Sequence, residues 1–175
     1  MIIWLNGPFG VGKTTLANLL HQEIPDSILY NPEHLGDFFQ EILPKAVCPE
    51  DFQDYPIWRQ TTVQIIRDLA TKTGKVIIVP MTVFKKEYYQ EIIEQGLRED
   101  MCVQHYILVD YILVAEKETI LDRLDKRTQE NNNWALKHLD NCLQAFEDQI
   151  PGRKIDTDGL RPDEVAASIL KDSIW

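Results

Sequence analysis

The stretch Ile2-Ile3-Trp4-Leu5-Asn6-Gly7-Pro8-Phe9-Gly10-Val11-Gly12-Lys13-Thr14-Thr15 decides how the rest of the chain is read. Residues 2 to 6 are a short apolar run closed by Asn6-Gly7, and helical spacing starts at Lys13 and continues through Leu16, Leu19 and Leu20 to about Glu23. Between this predicted strand and helix, Gly7 to Thr14 matches G-x-x-x-x-G-K-[ST], the phosphate-binding loop. Glycines at 7, 10 and 12 let the backbone approach phosphate oxygens closely. Successive amide N–H groups and the positive end of the following helix then attract an anion. In this motif Lys13 neutralises the β and γ phosphates and the Thr14 hydroxyl ligates Mg²⁺. Pro8, Phe9, Val11 and Thr15 complete the expected nucleotide-contacting run. A chance match in a chain this long is on the order of 1%, so the motif is taken as real.

Outward from the loop, strands and helices alternate. Ser27-Ile28-Leu29-Tyr30 reads as a second strand closed by Asn31-Pro32, and a helix is predicted from Glu33 to Leu43. Pro44 to Pro56 reads as a surface connection, and residues 57 to 73 as a long amphipathic helix stopped by Gly74. Val76-Ile77-Ile78-Val79 is a β-branched run suited to a strand buried on both faces, ended by Pro80. Residues 85 to 96 are expected to be helical and closed by Gly96. Tyr106-Ile107-Leu108-Val109-Asp110 is followed at once by Tyr111-Ile112-Leu113-Val114-Ala115, a near tandem repeat. Five is an odd number, so the second copy shows its residues to the opposite face unless a bulge intervenes. Helices at 116 to 127 and 134 to 149 flank a polar loop at 129 to 133; a short strand at 154 to 160 and a helix at 163 to 171, with Pro162 at its first position, end the chain. This alternation predicts one α/β domain over 1–175, with a parallel sheet covered on both faces.

Composition bounds the partners. Eighteen basic against twenty-eight acidic residues give a net charge of −10, so nucleic acid or an anionic membrane is not an expected partner and a polyanionic ligand needs a local positive site. The N-terminal run lacks the basic leader of a secretory signal, and no stretch approaches the roughly 20 apolar residues of a spanning helix, so a cytoplasmic location is expected. Cys48, Cys102 and Cys142 form no CxxC pair and read as thiols of no special role. His21, His34, His105 and His138 lack metal-ligand spacing.

Taken together, the loop at 6 to 15, the segment Asn31-Pro32-Glu33-His34-Leu35-Gly36 and the run Ile77-Ile78-Val79-Pro80 resemble the tunicamycin-resistance (TmrB-like) proteins, small P-loop proteins of the nucleoside and shikimate kinase type. The resemblance covers nearly the full chain. It implies an ATP-binding, kinase-like three-layer fold with a five-stranded parallel sheet in the order 2-3-1-4-5 and a short lid, here at about 123 to 137. The resemblance also implies Mg-ATP as donor and a small hydroxyl-bearing acceptor, with a nucleoside-like antibiotic as one candidate. Sequestration of a ligand without transfer is the competing reading. Many P-loop proteins end a neighbouring strand in Asp for Mg²⁺, whereas here that place holds Pro80-Met81-Thr82.

The acidic work would then fall to Glu33 or Asp37. Glu33 follows the second strand, where ligands bind in open α/β sheets, and either serves the acceptor hydroxyl or is a first-turn helix acid. Asp37 lies one turn on, on the same helical face. Arg123 and Arg127 are four apart beside the lid loop; in similar kinases such an R-L-x-x-R pair stacks on adenine and touches the transferring phosphate. Helix ion pairs with Asp122 or Glu130 are the alternative. By the same resemblance Arg59 is a candidate acceptor ligand and Arg153 a candidate adenine contact.

Overall fold

The computed structural model describes residues 1–99, 101, 106–126 and 132–172. Among them, β1 (Ile2–Asn6), β2 (Ile28–Leu29), β3 (Ile77–Pro80), β4 (Leu108–Val114) and β5 (Arg153–Asp156) form one sheet in the order β2-β3-β1-β4-β5. Every neighbouring pair is parallel. This is the order that the resemblance implied. The helices are α1 (Lys13–Glu23), α2 (Glu33–Ile42), α3 (Pro56–Thr73), α4 (Lys86–Tyr89), α5 (Lys117–Asp125), α6 (Asn132–Asp148) and α7 (Pro162–Asp172).

All five residues of β1 are buried, and they divide by alternation. Ile2 and Trp4 face a layer that includes Trp58 and Ile66 of α3 and Cys142 and Phe146 of α6. Ile3 and Leu5 face α1 and α7, through Leu16, Leu20, Val165 and Ile169. Each large apolar side chain buried this way contributes roughly 1.5–3 kcal/mol. Two covered faces are therefore what sets the sheet, and they place the open carboxyl ends of β1, β3 and β4 side by side.

The tandem repeat runs through β4 without a bulge. Ile2 to Asn6 pair in unbroken register with Leu108 to Ile112, and Tyr111 to Val114 pair with Arg153 to Asp156. Equivalent residues of the two copies consequently lie on opposite faces. Tyr106 and Leu108 pack in the α3/α6 layer, whereas Tyr111 and Leu113 pack in the α1/α7 layer. Asp110, only 6% exposed, is carried into the first of these layers, where the Tyr89 hydroxyl donates to its carboxylate at 2.5 Å.

The helix expected at 85 to 96 differs in kind and length. After α4 the chain continues as a π-helical segment, Gln90–Arg98, that passes through Gly96. A Cβ at Gly96 would lie 2.7 Å from a Val63 methyl carbon of α3 and 2.8 Å from the Glu91 carbonyl oxygen. Gly96 is thus the residue that lets this segment lie against α3, and its carbonyl accepts from Arg67 Nε at 2.7 Å. The helix stop expected at Gly74 is present, with φ of 66°. No described helix is long and apolar enough to cross a membrane.

Candidate functional site

The loop after β1 is held from both sides. The fully buried Asn6 accepts from the N–H groups of Gly7 (3.0 Å) and Val83 (2.8 Å) and donates to the Val83 carbonyl (3.1 Å). This joins the end of β1 to the segment after β3. Gly7 has φ of 137°, and a Cβ there would meet the Leu113 carbonyl oxygen of β4 at 2.5 Å, so the chain leaves β1 tightly over its neighbour's backbone. Lys13 Nζ donates to the carbonyls of Gly7 and Pro8, both at 2.9 Å. Gly12, with φ of 109°, caps α1, and the first turn of that helix carries no acid. Its positive end is thereby left to an external anion.

Beside the loop lies a cavity of about 500 Å³, lined among others by Gly12, Thr15, Arg123, Lys126, Thr157 and Arg161. Its charged lining residues are all cations. Two of these cations are paired at the rim, Lys126 with Asp122 (2.6 Å) and Arg161 with Asp163 (3.0 Å), so the charge offered to a polyanionic ligand comes chiefly from Arg123 and from the α1 N-terminus beside it. Arg123 spans the cavity wall. It donates to Val11 O (3.1 Å), Thr157 Oγ1 (3.0 Å) and Thr157 O (3.0 Å), tying the loop to the turn between β5 and α7. Phe9 projects the other way, edge-on to Phe84 (6.3 Å) and Trp134 (5.1 Å between ring centroids). Beneath it, burial pushes the Cys142 thiol up to about 12, so this cysteine is an inert core residue.

The remaining sequence candidates fall in different places. Thr14 and Thr15 are exposed on the first turn of α1. Glu33 is the exposed first residue of α2, and Asp37 is exposed one turn later. The start of α2 is fixed by the Trp58 indole, which donates to Pro32 O at 3.0 Å. Arg59 is 8% exposed and already engaged: Nε donates to Glu91 (2.5 Å), Nη1 to Gln53 O (2.5 Å), and the guanidinium lies 4.2 Å from the centre of the Tyr88 ring. A guanidinium so surrounded supports the packing of α3. Arg153 pairs with Asp172 at 2.7 Å and lies 5.9 Å from the Tyr111 ring centre. It does not line the cavity; the arginine that does so from beyond β5 is Arg161. Arg127 and the segment 127 to 131 of the expected lid lie outside the described residues.

Sequence reasoning passed over Asn6, Gln53, Thr82 and Thr157. Asn6 had a signal, being the polar residue that ends an apolar strand. The other three look like ordinary loop residues until the fold buries them.

The glycine-turned loop at a helix start, the lysine within it and the cationic cavity alongside suit a nucleoside polyphosphate. Thr14 is exposed at the same helix start. No group of three or more His, Cys, Asp or Glu side chains among the described residues is placed to hold a metal by itself. Fold and site together define a nucleotide-binding P-loop protein of kinase-like architecture. The chain belongs to the AAA domain family (AAA_33), whose model matches residues 2–148. Among solved structures it is similar to the tunicamycin resistance protein of Deinococcus radiodurans, at 27% identity over 98% of this chain and 94% of that one, with a TM-score of 0.73. More distant likenesses, which bear on the fold alone, are a sugar kinase from Janibacter sp. HTCC2649 (19% identity, 97% of this chain and 92% of that one, TM-score 0.65) and a gluconokinase from Sinorhizobium meliloti 1021 (13%, 97% and 89%, TM-score 0.67). No curated protein sequence matches the chain.

Proposed function

We propose that the chain transfers the γ-phosphoryl group of Mg-ATP to a hydroxyl of a small molecule, and that a nucleoside antibiotic of the tunicamycin type is the first acceptor to test. The observation that carries this reading is the cationic cavity that begins at the phosphate loop. Phosphoryl transfer asks mainly for positioning and positive charge around the moving group. Lys13 and the α1 N-terminus supply the charge at the β and γ phosphates. Arg123 holds the loop against the β5–α7 turn, which forms the far wall of the cavity. Mg²⁺, held by the Thr14 hydroxyl and the phosphate oxygens, would neutralise charge there. Glu33, at the carboxyl end of β2 and on a helix start fixed by Trp58, accepts the proton of the acceptor hydroxyl. The D. radiodurans protein, named for tunicamycin resistance, motivates the choice of acceptor.

The test is Mg-ATP turnover against a panel of hydroxyl-bearing acceptors that includes nucleosides and tunicamycin. ADP should form in step with a phosphorylated acceptor and only when that acceptor is present. ADP release that is equal with and without every acceptor counts against transfer. One observation favours a second reading, nucleotide-dependent sequestration: the end of β3 presents Thr82 rather than an acid, and its hydroxyl is spent on Gly7 O.

A further inference from the structure

Gly7 O, at the root of the phosphate loop, has two donors, Thr82 Oγ1 and Lys13 Nζ, each at 2.9 Å. When Lys13 turns toward a phosphate, its two carbonyl partners lose it. Pro8 O retains the Val11 N–H at 3.3 Å. Gly7 O retains Thr82. A buried carbonyl left without a donor is costly, so the hydroxyl decides how easily the lysine moves.

Thr82 is held in place for this. It is 2% exposed, and the N–H of the preceding Met81 donates to Leu5 O at 3.0 Å. The Thr82 carbonyl accepts from Gln53 Nε2 at 2.9 Å. Gln53 is itself 3% exposed, with its N–H on Asp51 Oδ1 (2.9 Å) and its carbonyl on Arg59, which Glu91 anchors in turn. A buried polar chain therefore runs from α3 through the turn at Phe52–Asp54 to the phosphate loop.

We infer that Thr82 is a positioning residue for Lys13: it keeps Gly7 O satisfied so that the lysine can pass from the loop carbonyls to the nucleotide phosphate. The strand end where an acid was sought acts on the loop and not on a metal. This inference rests on the nucleotide-binding reading above, and one of its two tests needs no nucleotide.

The first test titrates a non-hydrolysable fluorescent ATP analogue with Mg²⁺. Thr82→Val should bind it on the order of tenfold more weakly, because the departing lysine now leaves Gly7 O bare. Thr82→Ser, which restores the hydroxyl, should bind close to wild type. The second test melts the nucleotide-free proteins. Thr82→Val alone should lower the melting temperature slightly, as Lys13 still serves Gly7 O, and much more in the Lys13→Ala background, where both donors are gone. Wild-type affinity in Thr82→Val, or additive melting shifts in the double variant, overturns the inference. A wild-type protein that binds no analogue overturns the function proposed above, and the melting cycle still decides the role of Thr82.

Discussion

Asp110 has no place in the nucleotide site, yet its carboxyl is the most exacting polar group in the sheet. Burial pushes it up to about 6, while the Tyr89 hydrogen bond and Arg98 pull the other way and Glu94 adds repulsion. In the unfolded chain the group titrates near 3.9, roughly two pH units lower. Between about pH 4 and 6 the folded protein holds a proton that the unfolded chain has released, so stability is full below that window and is lost as pH rises through it. Asp110→Asn should thus match wild type near pH 4 and exceed it by up to about 3 kcal/mol above pH 6. Urea unfolding of both proteins across that range reads the difference directly; a constant difference would remove Asp110 as its source. At Glu33 the expectation is kinetic. Glu33→Gln should keep ATP affinity and lose turnover by on the order of a hundredfold or more, as for removal of a general base; steady-state rates at saturating ATP, alongside equilibrium binding, show whether the two separate. The loop residues 7 to 14 were legible because their chemistry is local in sequence. Gln53 and Thr82 were not, because their meaning depends on burial by partners 29 and 75 residues away.

The segment that follows α4 illustrates what periodicity cannot show. Its apolar spacing reads as α-helix, and nothing in the letters signals a π-helical run. Gly96 looked like a terminator because glycine so often is one. The structure gives it a neighbour to accommodate, Val63 on α3. Alanine has the better helix propensity by about 1 kcal/mol, but its methyl group would collide with Val63 and the Glu91 carbonyl. Gly96→Ala is therefore expected to destabilise by about 1–3 kcal/mol, the usual cost of overpacking, in thermal or denaturant melts. An unchanged or raised melting temperature would return Gly96 to the role of a simple stop. Arg153 and Arg161 show the same lesson for the turn after β5. The resemblance put Arg153, just before Ile155-Asp156-Thr157, in an adenine-contacting segment; in the structure it is the first residue of β5 and pairs with Asp172, while Arg161 lines the cavity.

For the molecule as a whole, the loop and cavity belong to the native state alone, so a nucleotide should stabilise folding through mass action. At a concentration one hundred times its Kd, Mg-ATP should add about 2.7 kcal/mol. For a chain of this size each kcal/mol is worth roughly 2–4 °C, so the melting temperature should rise by several degrees. Differential scanning fluorimetry with and without Mg-ATP reads this, and no shift at millimolar concentration would speak against binding. The layered architecture was legible early, because alternating strands and helices with β-branched interior runs leave few other arrangements. The repeat in β4 is the feature that alternation alone leaves open. It paired without difficulty because both sides of the strand are dry. A strand with one wet side has a parity, and an odd insertion spoils it; this strand has almost none. Tyrosine, leucine and valine serve equally well whichever way they point, so a shift of five positions is silent for them. Only the fifth letter keeps a sense of direction: its aspartate is tolerable at 110 because a tyrosine hydroxyl waits there, and its counterpart just past the strand is an alanine packed partly against the opposite layer.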